Sequence, residues 1–273
     1  RRAMSDTPVA TLSWPARLGR LLVLVLLAGV ALQLYFLLRI ALMTVIDPAS
    51  TTFQRSEIWR LATTQGSVDW AQEWRDYEEL GQPIARAVIA SEDAGFVEHS
   101  GVEWDAIEKA WERNQRAEAV AERRNEQLER RQQQALARGR APAEPPPRVE
   151  PKVVGGSTIT QQLAKNLFLS GERTAARKAQ EFVITFMLEA LLSKRRILEI
   201  YLNHVEWGEG LFGAQAAARH YFRTDARRLG AMQAARLAVM LPAPKRFEKT
   251  PGSAYLAGRT RTIVARMGSA ELP

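Results

Sequence analysis

At 273 residues the chain is long enough for one large domain or two small ones with a buried core. Apolar residues make up 46% and charged residues 25%, which excludes a wholly disordered chain and a polytopic membrane protein. The 38 Lys+Arg against 30 Asp+Glu give a formal charge of +8, favouring polyanionic partners such as nucleic acid, anionic lipid headgroups or phosphorylated substrates. The absence of cysteine removes disulfide scaffolds, Cys-ligated zinc and thiol nucleophiles.

Residues 21–38 carry no formal charge and are mostly Leu, Val and Ala. As a helix they span roughly 27 Å, enough to cross a bilayer. Arg1, Arg2, Arg17 and Arg20 precede the run, Arg39 can snorkel at its far edge, and Tyr35 and Phe36 suit an interfacial belt. The positive-inside rule then puts the N-terminus in the cytoplasm. The apolar run exceeds the core of an ordinary signal peptide and no small-x-small cleavage site follows promptly, so it reads as an anchor. The expected organisation is a cytoplasmic tail at 1–20, a transmembrane helix and its exit at 21–46, a connector at 47–69 and a folded domain at 70–268. The connector is assigned because Pro48 and many Ser/Thr residues interrupt any sustained period.

Within the domain, Pro83 suits the first turn of a helix over 84–90 that runs into Ser91-Glu92-Asp93. Residues 102–137 read as helix, yet beyond Arg113 the composition is Arg, Glu, Gln and Ala with few apolar anchors. Pro142, Pro145, Pro146, Pro147 and Pro151 then form a stiff linker, and 114–152 has the character of an insertion. Gly155-Gly156 permits an unusual backbone turn, and Thr158 with Gln161 matches a capping box. Helices are expected at 174–192, 194–202, 213–221, 231–240 and 254–267, the last two separated by a break at Pro242 and Pro244. No long stretch alternates with period two, so the domain is predominantly helical.

Three blocks can carry chemistry. In Glu92-Asp93-x-x-Phe96-x-x-His99-x-Gly101, a carboxylate beside apolar walls gains the raised pKa that a general base or acid needs near neutrality. Taken alone, two acids in a turn are more often solvated than catalytic. His99 has no second histidine at zinc spacing and is expected in a structural hydrogen bond rather than on a metal. In the block from Gly155 to Asn166, helical spacing stacks Thr158, Gln161 and Lys165 above a helix N-terminus as a cradle for an oxyanion. In Arg177-Lys178-x-x-Glu181 the charges sit at i,i+3 and i,i+4. Such pairs usually belong to the surface, yet the apolar run from Phe182 to Leu192 buries this helix.

These three blocks, followed by Lys194-x-x-Ile197-Leu198-Glu199-x-Tyr201-Leu202-Asn203 and by Glu206-Trp207-Gly208-x-Gly210 running into Gly213-x-x-x-Ala217-x-x-x-Tyr221-Phe222, resemble in order the five motifs of the family 51 peptidoglycan glycosyltransferases. The resemblance is to the monofunctional biosynthetic transglycosylases of Gram-negative bacteria. It implies a mainly α fold, with a lysozyme-like helical catalytic domain and a small membrane-proximal lobe, and the 114–152 insertion falls where the family has a mobile segment. It further implies polymerisation of lipid II into β-1,4-linked strands by inverting attack, with release of undecaprenyl diphosphate. By the match, Glu92 is the general base. Glu181 orients the cations and the leaving diphosphate, Lys165, Arg173, Arg177 and Lys178 stabilise that diphosphate, and Ser157, Gln161 and Gln162 line the cleft. The alternative is a lysozyme-like muramidase or lytic transglycosylase. No cofactor is required by this reading; a divalent cation, Mg or Mn, is compatible with a diphosphate, but no ligand cluster in the sequence demands one. No Ser-x-x-Lys occurs, so transpeptidation is not expected of this chain. The implied partners are lipid II, the growing lipid-linked glycan, the membrane and other cell-wall synthesis or division proteins, and no nucleic acid. The implied location is the bacterial inner membrane, single-pass, with the catalytic domain in the periplasm.

Overall fold

A computed structural model describes residues 14–138, 147–151, 155–172 and 174–273. The chain divides into two compact units, residues 1–46 and 47–273. The first contains one long helix, α1 (Trp14–Leu42), which encloses the charge-free run and is long and apolar enough to cross a membrane. It ends where β-branched Thr44, Val45 and Ile46 lead into Pro48, and the last carbonyls are taken up by Met43 N–H to Ile40 O (2.9 Å) and Ile46 N–H to Leu42 O (2.9 Å).

The second unit begins earlier than the sequence suggests. The expected connector at 47–69 holds α2 (Thr52–Gln65), opened by a capping box in which Thr51 Oγ1 accepts the Gln54 N–H (3.0 Å) and Gln54 Oε1 accepts the Thr51 N–H (2.9 Å). Three of its hydroxyl residues, which argued for a loop, donate instead to their own helix. Ser56 bonds Phe53 O (2.7 Å), Thr63 bonds Trp59 O (2.8 Å) and Thr64 bonds Arg60 O (2.7 Å).

After β1 (Ala71–Gln72) and α3 (Tyr77–Leu80) come α4 (Gln82–Glu92), α5 (Trp104–Ala137), α6 (Ile159–Phe168), α7 (Ala175–Leu191) and α8 (Lys194–His204). Then follow β2 (Glu206–Gly208), β3 (Leu211–Phe212), α9 (Ala214–Phe222), a short 3-10 turn (Ala226–Arg228), α10 (Ala231–Met240), α11 (Pro244–Lys249) and α12 (Ala254–Met267). The expected helices at 174–192, 194–202, 213–221, 231–240 and 254–267 are all present. Behind the proline break lies α11, with Pro244 in its first turn, where a missing N–H is no loss. The small sheet, order β1-β3-β2 with β1 parallel and β2 antiparallel to β3, escaped the period-two reading because two or three residues cannot display a period.

Two packing groups meet at the end of α4. Ile84, Ala87, Val88 and Ile89 of α4 are fully buried against α10 and α12, where Ala234, Ala235 and Ala238 let the backbones approach closely. On the other side α6 packs on α2, α7 and α8. Helix α5 projects the Arg/Glu-rich half of the insertion, its side chains mostly exposed. The returning chain is fastened to it by the Asn125 amide, which donates to Val149 O (3.1 Å) and accepts from Val149 N–H (2.8 Å). Pro142, Pro145 and Pro146 lie outside the described residues. Neither Gly155 nor Gly156 has a positive φ, so the expected unusual turn is not what they supply. Gly156 lies so close to α5 that a Cβ there would sit 2.9 Å from Ala106 O.

Candidate active site

The last turn of α4 delivers Ser91, Glu92 and Asp93, and the two adjacent acids part company there. Asp93 is buried and accepts two hydrogen bonds, from His99 Nε2 at Oδ1 (2.8 Å) and from Ile159 N–H, at the start of α6, at Oδ2 (2.9 Å). The Gly101 N–H donates to His99 Nδ1 (3.0 Å), which assigns the ring proton to Nε2. Thr158 Oγ1 donates to Gly101 O (2.6 Å), closing the connection between α4 and α6. His99 thus has the structural role expected of it.

Glu92 is half-buried and faces the other way. Its Oε1 accepts from Ser91 Oγ (3.1 Å) and its Oε2 from Gln162 Nε2 (3.3 Å). Burial pushes its carboxyl above the ordinary value; the bonds from Gln162 and Ser91 and the charge of Arg259 pull it partly back, and the Asp93 charge adds a small upward push. Beyond Gln162 opens a cavity of ≈ 340 Å³ that contains Ser157, Gln161, Gln162 and Lys165 of the α6 region together with Arg177, Lys178 and Glu181 of α7. Seven of the nine expected site residues therefore share one cavity, and Glu92 adjoins it through Gln162. Arg173 lies outside the described residues.

Glu181 is the buried centre of the cationic wall. Its Oε2 accepts from Arg177 Nη1 (2.9 Å) and its Oε1 from Lys178 Nζ, while Lys178 Nζ also lies 5.1 Å over the Phe182 ring. One carboxylate thereby orients two cations and leaves the group a net positive charge. Two donors on this wall have no partner among the described residues although they are buried: Arg177 Nε and Gln161 Nε2. The expected capping box of Thr158 and Gln161 is formed: the Gln161 amide oxygen accepts the Thr158 N–H (3.1 Å) and Thr158 Oγ1 accepts the Gln161 N–H (3.2 Å).

The sequence reading missed the wall opposite. Phe53 and Ser56 of α2 line the same cavity, and α2 is fastened by Thr52 Oγ1 to Leu167 O (2.9 Å) and by a Glu57–Lys245–Glu206 bridge, with Lys245 Nζ 2.5 Å from Glu57 Oε2 and 3.1 Å from Glu206 Oε1. The signal was present, since Thr51-x-x-Gln54 is a capping box of the same type as Thr158-x-x-Gln161.

Residues 60–123 and 147–268 match the family model described as Transglycosylase. The chain belongs to that family. The gap in the match falls within the insertion, and the matched segments carry every expected site residue. The chain is 50% identical over 246 residues to the "Biosynthetic peptidoglycan transglycosylase" of Burkholderia pseudomallei (strain K96243), covering 90% of this chain and 84% of the relative. It is 45% identical over 273 residues to the protein of the same name from Paraburkholderia xenovorans (strain LB400), covering 100% of this chain and 98% of the relative. The mainly α, lysozyme-like fold expected from the motifs stands. Within this family member's described residues, no three His, Asp or Glu side chains come together as a metal cage. Three cations, Lys165, Arg177 and Lys178, line the cleft, and both oxygens of Glu181 already accept from two of them, a setting that does not fit a divalent cation resident on Glu181.

Proposed function

We propose that the chain is a peptidoglycan glycosyltransferase that polymerises lipid II into β-1,4-linked glycan and releases undecaprenyl diphosphate. The observation that carries this reading is a half-buried glutamate with a raised pKa, bonded through one glutamine to a cavity walled by Lys165, Arg177 and Lys178 around Glu181. In the proposed reaction Glu92 accepts the proton of the acceptor's 4-hydroxyl as that oxygen attacks the donor's anomeric carbon, with inversion. The bond to the diphosphate breaks, and its electrons go to an oxygen that the cations stabilise. A diphosphate is a good leaving group when so stabilised, so preorganised positive charge replaces the general acid that a hydrolase needs. Glu181 holds Arg177 and Lys178 in register for this and is not needed as a proton donor. The same cations argue against a muramidase or lytic transglycosylase, whose leaving group is an alcohol that requires a proton.

The reading extends to location and partners. Helix α1 would anchor the chain in the inner membrane with its N-terminus in the cytoplasm and the 47–273 unit in the periplasm, beside a membrane-borne substrate. The exposed Arg side chains of α5 would lean on the anionic membrane surface, and cell-wall synthesis or division proteins are the expected protein partners. No step in the proposed reaction needs a metal.

The test uses full-length protein in detergent with lipid II, sizing products before and after muramidase digestion. Glu92→Gln keeps the shape and removes the basicity, so polymer formation should fall by ~10²–10⁴-fold with the fold intact. More than about a tenth of the parent rate in that variant would remove Glu92 as the base.

A further inference from the structure

Glu92 and Gln162 belong to a chain of hydrogen bonds with a third member. Tyr201 of α8 is 1% exposed, and its hydroxyl donates to Gln162 Oε1 (2.8 Å). The other end of that amide, Nε2, lies 3.3 Å from Glu92 Oε2 and 3.4 Å from Ser157 O. Both are acceptors, so the amide serves Glu92 only while its NH₂ group points toward them and its oxygen points toward Tyr201.

We infer that Tyr201 is a positioning residue for the glycosyl transfer, fixing the Gln162 amide so that an N–H, and not the amide oxygen, meets Glu92. The inference rests on the reading of Glu92 as the base. The terminal torsion of a glutamine is broad and roughly two-fold, so shape alone does not choose between its orientations. The choice comes from partners. Among the described residues the Tyr201 hydroxyl is the protein donor to Gln162 Oε1, and without it that oxygen loses its protein partner. The amide then turns to recover a partner, and Glu92 loses its N–H donor. Burial, with the Glu92 and Asp93 charges, pushes the Tyr201 phenol well above its ordinary range, so it remains a donor wherever the enzyme works.

The consequence is electrostatic. The charged groups acting on Glu92 are Asp93 beside it, held by His99, and Arg259 of α12; Gln162 of α6 and Ser91 are neutral donors. Burial already favours the protonated acid, and the Gln162 bond is first among the interactions that restore the carboxylate. Losing it moves Glu92 further toward the protonated form, in which it cannot accept a proton from the acceptor hydroxyl.

The experiment is the pH profile of kcat/KM for full-length protein with lipid II in detergent. Tyr201→Phe removes one oxygen and leaves the ring, and the acidic limb should move up by about one pH unit, with activity recovering at higher pH. Gln162→Met, at a partly exposed position, should shift the limb in the same direction. Tyr201→Phe added to Gln162→Met should shift it no further, because the tyrosine acts through the amide. A Tyr201→Phe variant slowed equally at every pH would overturn the inference, as would an additional shift in the double variant. If Tyr201→Phe does not fold, Gln162→Met decides alone: an unmoved limb overturns the inference. Glu92→Gln measured in parallel separates the two claims. Activity in that variant removes the base and the inference together, whereas an inactive Glu92→Gln beside an unmoved limb removes only the role of Tyr201.

Discussion

Asp93→Asn tests the hydrogen-bond network that joins α4 to α6. The substitution is isosteric and leaves packing unchanged, so its effect is confined to which atoms donate. Oδ1 of Asp93 accepts from His99 Nε2 and Oδ2 accepts from Ile159 N–H, and both partners are committed donors. If the new NH₂ faces Ile159, two N–H groups oppose each other in a buried site. If it faces His99, the ring must carry its proton on Nδ1, which then opposes the Gly101 N–H that now donates to it. Every arrangement strands two donors, each worth about 1–3 kcal/mol when buried without a partner, for a total of about 2–6 kcal/mol. For a domain of this size that corresponds to a fall in Tm of about 4–24 °C. Calorimetry on full-length protein in detergent measures it, with Glu98→Gln at an exposed position three residues from Phe96's neighbour Gly95 as the control, expected within about 0.5 kcal/mol of the parent. A loss of less than about 2 °C in Asp93→Asn would refute the donor assignment on which this reasoning depends.

Two further outcomes follow from other sites. Burial raises the Glu206 carboxyl to about 7, against the opposing attraction of Lys245, so the folded chain holds a proton there that the unfolded chain releases near its ordinary value of 4.5. That contribution is fully present below the unfolded value and is lost as pH rises through about 7; relative to the parent, Glu206→Gln should therefore gain up to roughly 3 kcal/mol between pH 4 and pH 8.5, and a pH-independent difference in denaturation midpoints would contradict the assignment. At the cationic wall, Lys165→Ala and Arg177→Ala each remove a charged donor to the proposed diphosphate at about 1.5–3 kcal/mol, or about 10- to 150-fold in kcat/KM, and unchanged values in both would move the diphosphate elsewhere.

Much of the architecture was legible because it is local. Caps at Thr158, Pro83 in the first turn of α4, and 3.6-residue periodicity in α7, α10 and α12 are properties of neighbours in sequence, and the 21–38 run announces its solvent by composition alone. The ordered motifs likewise named the site residues that share the cavity. Three decisions belonged to the tertiary structure. Glu92 and Asp93 are adjacent carboxylates, yet α4 ends at Glu92 and Asp93 takes a non-helical cap conformation, so Asp93 is sent into the α4–α6 junction and Glu92 toward the cleft. Of the Gln161-Gln162 pair, the capping box already marked the first as the cap of its own helix, but only the fold shows that the second spans Tyr201 and Glu92. Helix α2, hidden among hydroxyl residues, becomes a wall of the cavity because α6 buries one of its faces. A residue's chemistry and local periodicity are written in the sequence; which partner that chemistry meets depends on contacts between distant segments, from Tyr201 with Gln162 to Thr52 with Leu167, and only the folded chain brings those together.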